Sequence, residues 1–315
     1  MTLPTKTAHP PNVEQNKKKW PWRKALPLYI MILPAFTLTF IFAYIPMPGV
    51  MMAFQDFKPW LGYFGSPWVG FDNFMILFRF PENSQVILNT LIIAIGKIIF
   101  GLMVPFIFAL LLNEIRVTKV KRTVQTLVYL PYFLSWVILS GILINILSLN
   151  GGLVNQFLGL FGIEPVFFLG DGTSFRWTLI ISDSWRNFGF SAIIYLAALA
   201  GVDLNLYESA VIDGASRWKQ TIHITIPALV PVFVVVGVLS LGGILNAGFD
   251  QVFNMINPLV QSKGNIIDTF VYEVAIRQGR FSIGAAMGLF SSVIGTTLIV
   301  ISYILAFKVA KYKVF

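Results

Sequence analysis

The side chains best suited to chemistry stand inside apolar runs. Asp183, Arg186 and Asn187 follow at helical spacings, so on a helix they share one face, and Phe190 continues it. An Asp/Arg pair softens the cost of burying charge. Asn and Phe add hydrogen-bonding groups and a flat apolar surface. Asn246, Asp250 and Asn254 recur every four residues and form a second polar stripe, while Gly242, Gly243 and Gly248 permit close helix contact or a local break. Asn187 and Asn246 are the members of the two stripes that read as more than helix-locking groups. For Asp183 with Arg186, a helix-locking ion pair is an equal alternative. Lys97, midway along another apolar run, reads as a structural partner for a carbonyl or carboxylate, because a charge at that depth costs about 2.5–3.5 kcal/mol.

Covalent chemistry finds little material. There is no cysteine, and the two histidines, His9 and His223, form no His-Glu-x-x-His zinc motif, so no metal site is expected. The acids within the apolar runs form no evident catalytic dyad. No Gly-x-x-x-x-Gly-Lys-Ser/Thr phosphate loop occurs, so the chain binds no nucleotide by that route and is not itself an ATPase.

The elements that position these residues are membrane spans. Hydrophobic residues make up 56% of the chain and charged ones 12%, against about 25% charged in soluble domains. Mean hydropathy is +0.75. Six apolar runs, over 26–50, 86–112, 123–149, 177–201, 228–248 and 285–307, are each long enough for a hydrocarbon core about 30 Å thick. The first is too long for a signal-peptide core and lacks a small-residue cleavage site, so it is kept as a span.

Orientation follows from the basic residues. One side carries Lys17, Lys18, Lys19, Arg23, Lys24, Arg116, Lys119, Lys121, Arg122, Arg217, Lys219, Lys308, Lys311 and Lys313. The other holds Lys58, Arg79, Arg176, Lys263, Arg277 and Arg280, spread over longer loops. The positive-inside rule places both termini in the cytoplasm. The net charge of +9 is therefore topology and attraction to a lipid bilayer rather than nucleic-acid binding. The polar residues up to about Lys19 are expected to be disordered. Beyond the break at Asn150-Gly151-Gly152, the next residues suit a short helix on the outer surface.

One polar stretch, YESAVIDGASRWKQTIHITIP from Tyr207 to Pro227, interrupts the cytoplasmic side as two short amphipathic helices. Gly214 sits where the first must end with φ > 0, and Ser216 can cap a second beginning near Arg217. Glu208 and Asp213 stand on one arm, Arg217 and Lys219 on the other. Geometry alone leaves open whether this knuckle couples to a partner or rests on lipid headgroups.

Glu208-Ser209-Ala210, three residues, Gly214, nine residues, then Ile224-Thr225-Ile226-Pro227 resembles the EAA loop of permeases in binding-protein-dependent ABC importers. Ser209 replaces the usual Ala and Ile226 the usual Leu; both keep the register. Ser66–Phe74, Asp203–Tyr207, Asn246–Gln251 and Asp268–Glu273 are also similar to sugar-importer permeases, best to the LplB-like subgroup linked to oligosaccharides from complex polysaccharides. The resemblance implies an all-α integral membrane protein of the type I importer class. A basic tail would occupy 1–25 and a six-span permease domain 26–315, with the coupling loop at about 203–227.

The resemblance further implies an ATPase-coupling role for Glu208, Ser209, Ala210, Asp213, Gly214 and Ala215, to which Arg217 and Lys219 are added as candidate ion pairs with the partner, beside the alternative of a solvated basic face. The stripes at Asp183, Arg186, Asn187, Phe190, Asn246, Phe249, Asp250 and Asn254 become the candidate substrate pathway. Implied partners are a cytoplasmic ABC ATPase dimer that binds ATP and Mg, a second homologous permease chain and an extracellular or periplasmic sugar-binding protein. The location implied is the bacterial cytoplasmic membrane. The alternatives are a self-sufficient ion-driven transporter or channel, which leaves the knuckle unexplained, and an intramembrane enzyme, which lacks its motif. Arg186, with Arg277 and Arg280 outside, is compatible with an acidic sugar and equally with structural roles.

Overall fold

A computed structural model describes residues 22–310, and within them the secondary structure is helical apart from a single bridge pairing Gln55 with Trp68. The expected disordered tail, and Lys311 and Lys313, lie outside the described residues. The chain divides into two compact units, Met1–Pro48 and Gly49–Phe315.

In the first unit, α1 (Trp22–Thr39) runs into a π-turn at Phe40–Tyr44, and the Phe36, Phe40 and Tyr44 rings stack one turn apart. The apolar side chains face every direction and none from Leu26 to Pro48 is buried, the pattern of a helix whose solvent is lipid or another chain.

The second unit is built on α2 (Pro81–Asn113) and α5 (Gly172–Ala200), which pack along their lengths. Between them in sequence lie α3 (Thr118–Tyr129) and α4 (Trp136–Ile146). There follow α6 (Leu204–Ile212), α7 (Ile226–Leu241), α8 (Phe249–Met255) and α9 (Phe281–Ala310). Pro81 opens α2, where its missing N–H costs nothing. Asp171 caps α5, and hydrogen bonds from the Ser174 and Thr173 amides hold its carboxyl below the usual carboxylate range. The buried core draws Ile93 and Ala94 from α2, Phe175 and Leu179 from α5, and Ala286 and Met287 from α9.

Among the described residues four helices are long and apolar enough to cross a membrane, or up to six spans if each of two bent pairs counts as one. Two expectations are corrected. The run at 123–149 is not one straight span: Thr118–Phe133 and Trp136–Ile146 meet at 102°. Pro131 cannot continue the hydrogen-bond ladder, and Ser135 restarts it by accepting from the Ile138 N–H. The run at 228–248 is displaced. Its helix begins at Arg217, passes through a π-turn at Thr221–Thr225 and ends at Leu241. The chain from Gly242 to Gly248 leaves the helix, with Gly248 at φ 92°. The short helix expected after Gly152 spans Leu153–Gly159, pinned by Asn155 to the Ser148 and Val166 carbonyls.

Gly189 lets α5 pack tightly against α3. A Cβ there would lie 2.5 Å from the Val128 carbonyl oxygen, a backbone atom that cannot swing aside. Gly189→Ala is expected to destabilise the detergent-solubilised protein by about 1–3 kcal/mol, read as a lowered Tm. An unchanged Tm would show that the two helices separate freely.

Candidate functional site

The bends and breaks bring polar groups together inside the helices. A cavity of about 400 Å³ lies between α2, α5, α7 and the Gly242–Gly248 break. Its polar wall is Lys97, Asp183, Asn187, Ser191, Tyr195, Ser240 and Asn246. Three of the candidate pathway residues, Asp183, Asn187 and Asn246, therefore meet there.

The ion pair differs from the one expected. Asp183 does not pair with Arg186; its Oδ1 is 3.6 Å from Lys97 Nζ. Lys97 also donates to the Ala247 carbonyl at 2.6 Å and to Gln251 Oε1. Gln251, fully buried, donates in turn to the Leu179 carbonyl and Ser182 Oγ, both at 2.9 Å. Lys97 thus has the carbonyl and carboxylate partners its position called for. It ties the non-helical break to α2 and α5.

Arg186 is drawn away because the bend at 102° leaves carbonyls without helical donors. Its guanidinium donates to the Tyr132 carbonyl at 3.1 Å and to the Leu134 carbonyl at 3.0 and 3.1 Å. It lies over the Tyr132 and Trp136 rings. Phe190 stacks face to face on Tyr132, with centroids 4.0 Å apart, so it too belongs to this brace rather than to the cavity. Arg186→Lys keeps the charge but loses the planar fork and the ring contact. It is expected to cost about 1–3 kcal/mol, through carbonyls left unsatisfied, measured as Tm and yield of the purified protein. Wild-type values would show that the bend needs no brace.

The second stripe does not survive as one face. Asn246 lies in the break, where its Oδ1 accepts from the Gly248 N–H at 3.3 Å. Asp250 and Asn254 belong to the separate α8, the Asn254 amide donating to the Asp250 carbonyl. Phe249 packs in an aromatic group with Phe253 and Tyr272. None of these three lines the cavity.

Three polar cavity residues were not singled out from the sequence: Ser191, Tyr195 and Ser240. Two carried a signal, since Asp183, Asn187, Ser191 and Tyr195 repeat every four residues on α5. Tyr195 is 1% exposed, and among the described residues its hydroxyl has no hydrogen-bond partner.

At the knuckle, α6 starts from Asp203, whose carboxylate accepts from the Asn205 N–H. It ends in a Schellman motif: Gly214 at φ 73° donates to the Val211 carbonyl at 3.0 Å, and Ala215 to Ala210 at 2.8 Å. Ser216 caps the next helix as expected. That helix is not a short arm but the start of the Arg217–Leu241 span. The turn is therefore rigidly continuous with a membrane helix. Arg217 pairs with Glu114 at 3.2 Å, a partner within the chain, and Tyr207 shares a hydrogen bond with Thr225. Ser209 lies within α6, and Glu208 and Asp213 are exposed.

A helical chain with membrane-length spans, a polar cavity among them and a stiff exposed turn fused to one span is built as a solute-translocating membrane subunit. The family described as "Binding-protein-dependent transport system inner membrane component" matches residues 101–311, and the chain belongs to it. It is 42% identical over 281 residues to a Bacillus subtilis (strain 168) protein, "Polygalacturonan/rhamnogalacturonan transport system permease protein YteP", covering 89% of this chain and 88% of that one. It is 41% identical to "Protein LplB" of the same organism, covering 86% of each. Among solved structures it is similar to a chain of a bacterial alginate ABC transporter in complex with an alginate pentasaccharide-bound periplasmic protein. The TM-score is 0.84 at 34% identity, over 93% of this chain and 98% of that one. The chain is an all-α, multi-pass ABC importer permease.

Proposed function

We propose that this chain is the permease subunit of an ATP-driven importer of an oligosaccharide. The observation that carries the reading is the cavity, where amides, hydroxyls and a carboxylate line a space among membrane helices in a chain similar to sugar permeases. Asp183, Asn187 and Asn246 form its binding wall, and Arg186 with Phe190 fixes the bend beside it. Phe249, Asp250 and Asn254 would act, if at all, through the position of α8 after the break.

The partners are a cytoplasmic ATPase dimer that binds ATP and Mg, a second permease chain and an extracellular binding protein. A tail over 1–25 and the permease domain over 26–315 lie in and on the bacterial cytoplasmic membrane with both termini inside. The knuckle seats in the ATPase through Glu208, Ser209, Ala210, Asp213, Gly214 and Ala215. Leu204, Ile212 and Trp218 are exposed apolar side chains around that turn, suited to a protein groove. Arg217, held by Glu114, stiffens the turn, and Lys219 keeps to the basic cytoplasmic face. Closing of the ATPase pair on ATP moves the turn, and the turn moves the Arg217–Leu241 span to which it is fused. Inward and outward openings alternate as a result, and this chain performs no covalent step.

The test is to purify the tagged chain from its host and reconstitute what accompanies it. Recovery of an ATPase and a second permease, with uptake that needs ATP and the binding protein, supports the reading. A chain that purifies alone and moves solute on a proton or sodium gradient would replace it with an ion-driven transporter.

A further inference from the structure

We infer that this chain's half of the site binds neutral, hydroxyl-bearing sugar units and turns uronate carboxylates away, so that any acid group on the cargo must face the other permease chain. This rests on the reading of the cavity as the sugar site.

The cationic groups decide it. Lys97 is the one cation among the described residues that line the cavity. An ammonium has three hydrogens. Here the Ala247 carbonyl, Gln251 Oε1 and Asp183 Oδ1 surround it, and its side chain is only 9% exposed. No Lys97 donor remains for a substrate carboxylate. Arg186, the nearest guanidinium in sequence, is spent on the Tyr132 and Leu134 carbonyls and on Asn187 Oδ1. It does not line the cavity.

What the wall offers instead suits hydroxyls. Asp183 is 22% exposed, and among the described residues no group hydrogen-bonds its Oδ2. A carboxylate oxygen of this kind accepts strong, charge-assisted bonds from sugar O–H groups. Asn187 and Asn246 each engage their Oδ1 within the chain, and among the described residues no acceptor meets their amide N–H groups. A sugar hydroxyl both donates and accepts, so it meets Asp183 on one side and these donors on the other. A uronate carboxylate only accepts, and it would face the like charge of Asp183.

The experiment uses the assembled importer in vesicles. Its probes are labelled uronate trisaccharides cut from polygalacturonan and alginate, each beside its carboxyl-reduced neutral form, and the readout is the neutral-to-uronate uptake ratio within each pair. Asp183→Asn removes the like charge and is expected to lower that ratio about tenfold. Asn187→Asp adds a second carboxylate to the wall and is expected to raise it, which keeps the test alive if the first variant fails to fold. A ratio that favours the uronate in the wild type and stays put in both variants overturns the inference while leaving the import reading intact. ATP hydrolysis with uptake of no sugar from any pair overturns the oligosaccharide reading, and this inference with it.

Discussion

In a Gly214 series, ATP-driven uptake is expected to fall in the order Asn, Ala, Val, with Val losing tenfold or more. Gly214 has φ 73°, and a Cβ built there meets nothing within 4 Å inside the chain. Steric bulk is therefore not the cost; backbone conformation is. An L-residue in the left-handed region costs about 1–2 kcal/mol, Asn less than most, and a β-branched residue is a genuine outlier there. That energy would be relieved by undoing the Schellman turn, which frees the Ala210 and Val211 carbonyls and loosens the junction between α6 and the Arg217–Leu241 span. Motion at the knuckle would then dissipate in the turn. ATP hydrolysis retained while uptake is lost is the signature of that failure. If Asn is as damaging as Val, the partner surface must lie directly against this Cα, and contact rather than conformation explains the series.

How much of this was legible in the sequence follows from the range of each interaction. The turn at Gly214 and the cap at Ser216 are set by neighbours within five residues, and both were readable from residue types alone. The spans were readable as apolar blocks, but a hydropathy run passes over a bend: Pro131 and Ser135 sit within one continuous apolar stretch that folds through 102°. The fifth span was placed too late because its first turns, from Arg217 to Thr225, are polar and read as a separate short helix on the cytoplasmic side.

The ion pair was the instructive miss. Helical spacing offers Asp183 a neighbour at Arg186, and nothing local reveals that the bent helix beside it exposes carbonyls for which a guanidinium fits better. Once Arg186 is taken, Lys97 from α2 supplies the countercharge. Tertiary competition for donors, which periodicity cannot register, decided which polar residues line the cavity and which brace its wall.

That competition gives the second large effect. Lys97→Met is expected to be severely destabilising, by about 3–5 kcal/mol, because it strands a carboxylate among helices without its countercharge. The Ala247 carbonyl and Gln251 would lose their donor as well, and the break at Gly242–Gly248 would lose its tie to α2. Asp183→Asn should cost much less, since the ammonium keeps its two oxygen acceptors and Asn can still offer one. The double variant, Lys97→Met with Asp183→Asn, should recover a large part of what Lys97→Met loses, because no unpaired charge remains buried. Thermal stability of the purified protein for the four members of this cycle measures the coupling directly. Strict additivity would mean that the two charges are solvated separately and that the pair at 3.6 Å contributes nothing. A double variant that regains stability but not uptake would separate the role of the pair in folding from its role in holding the cavity wall, since Gln251 and Ala247 would then be packed without being positioned.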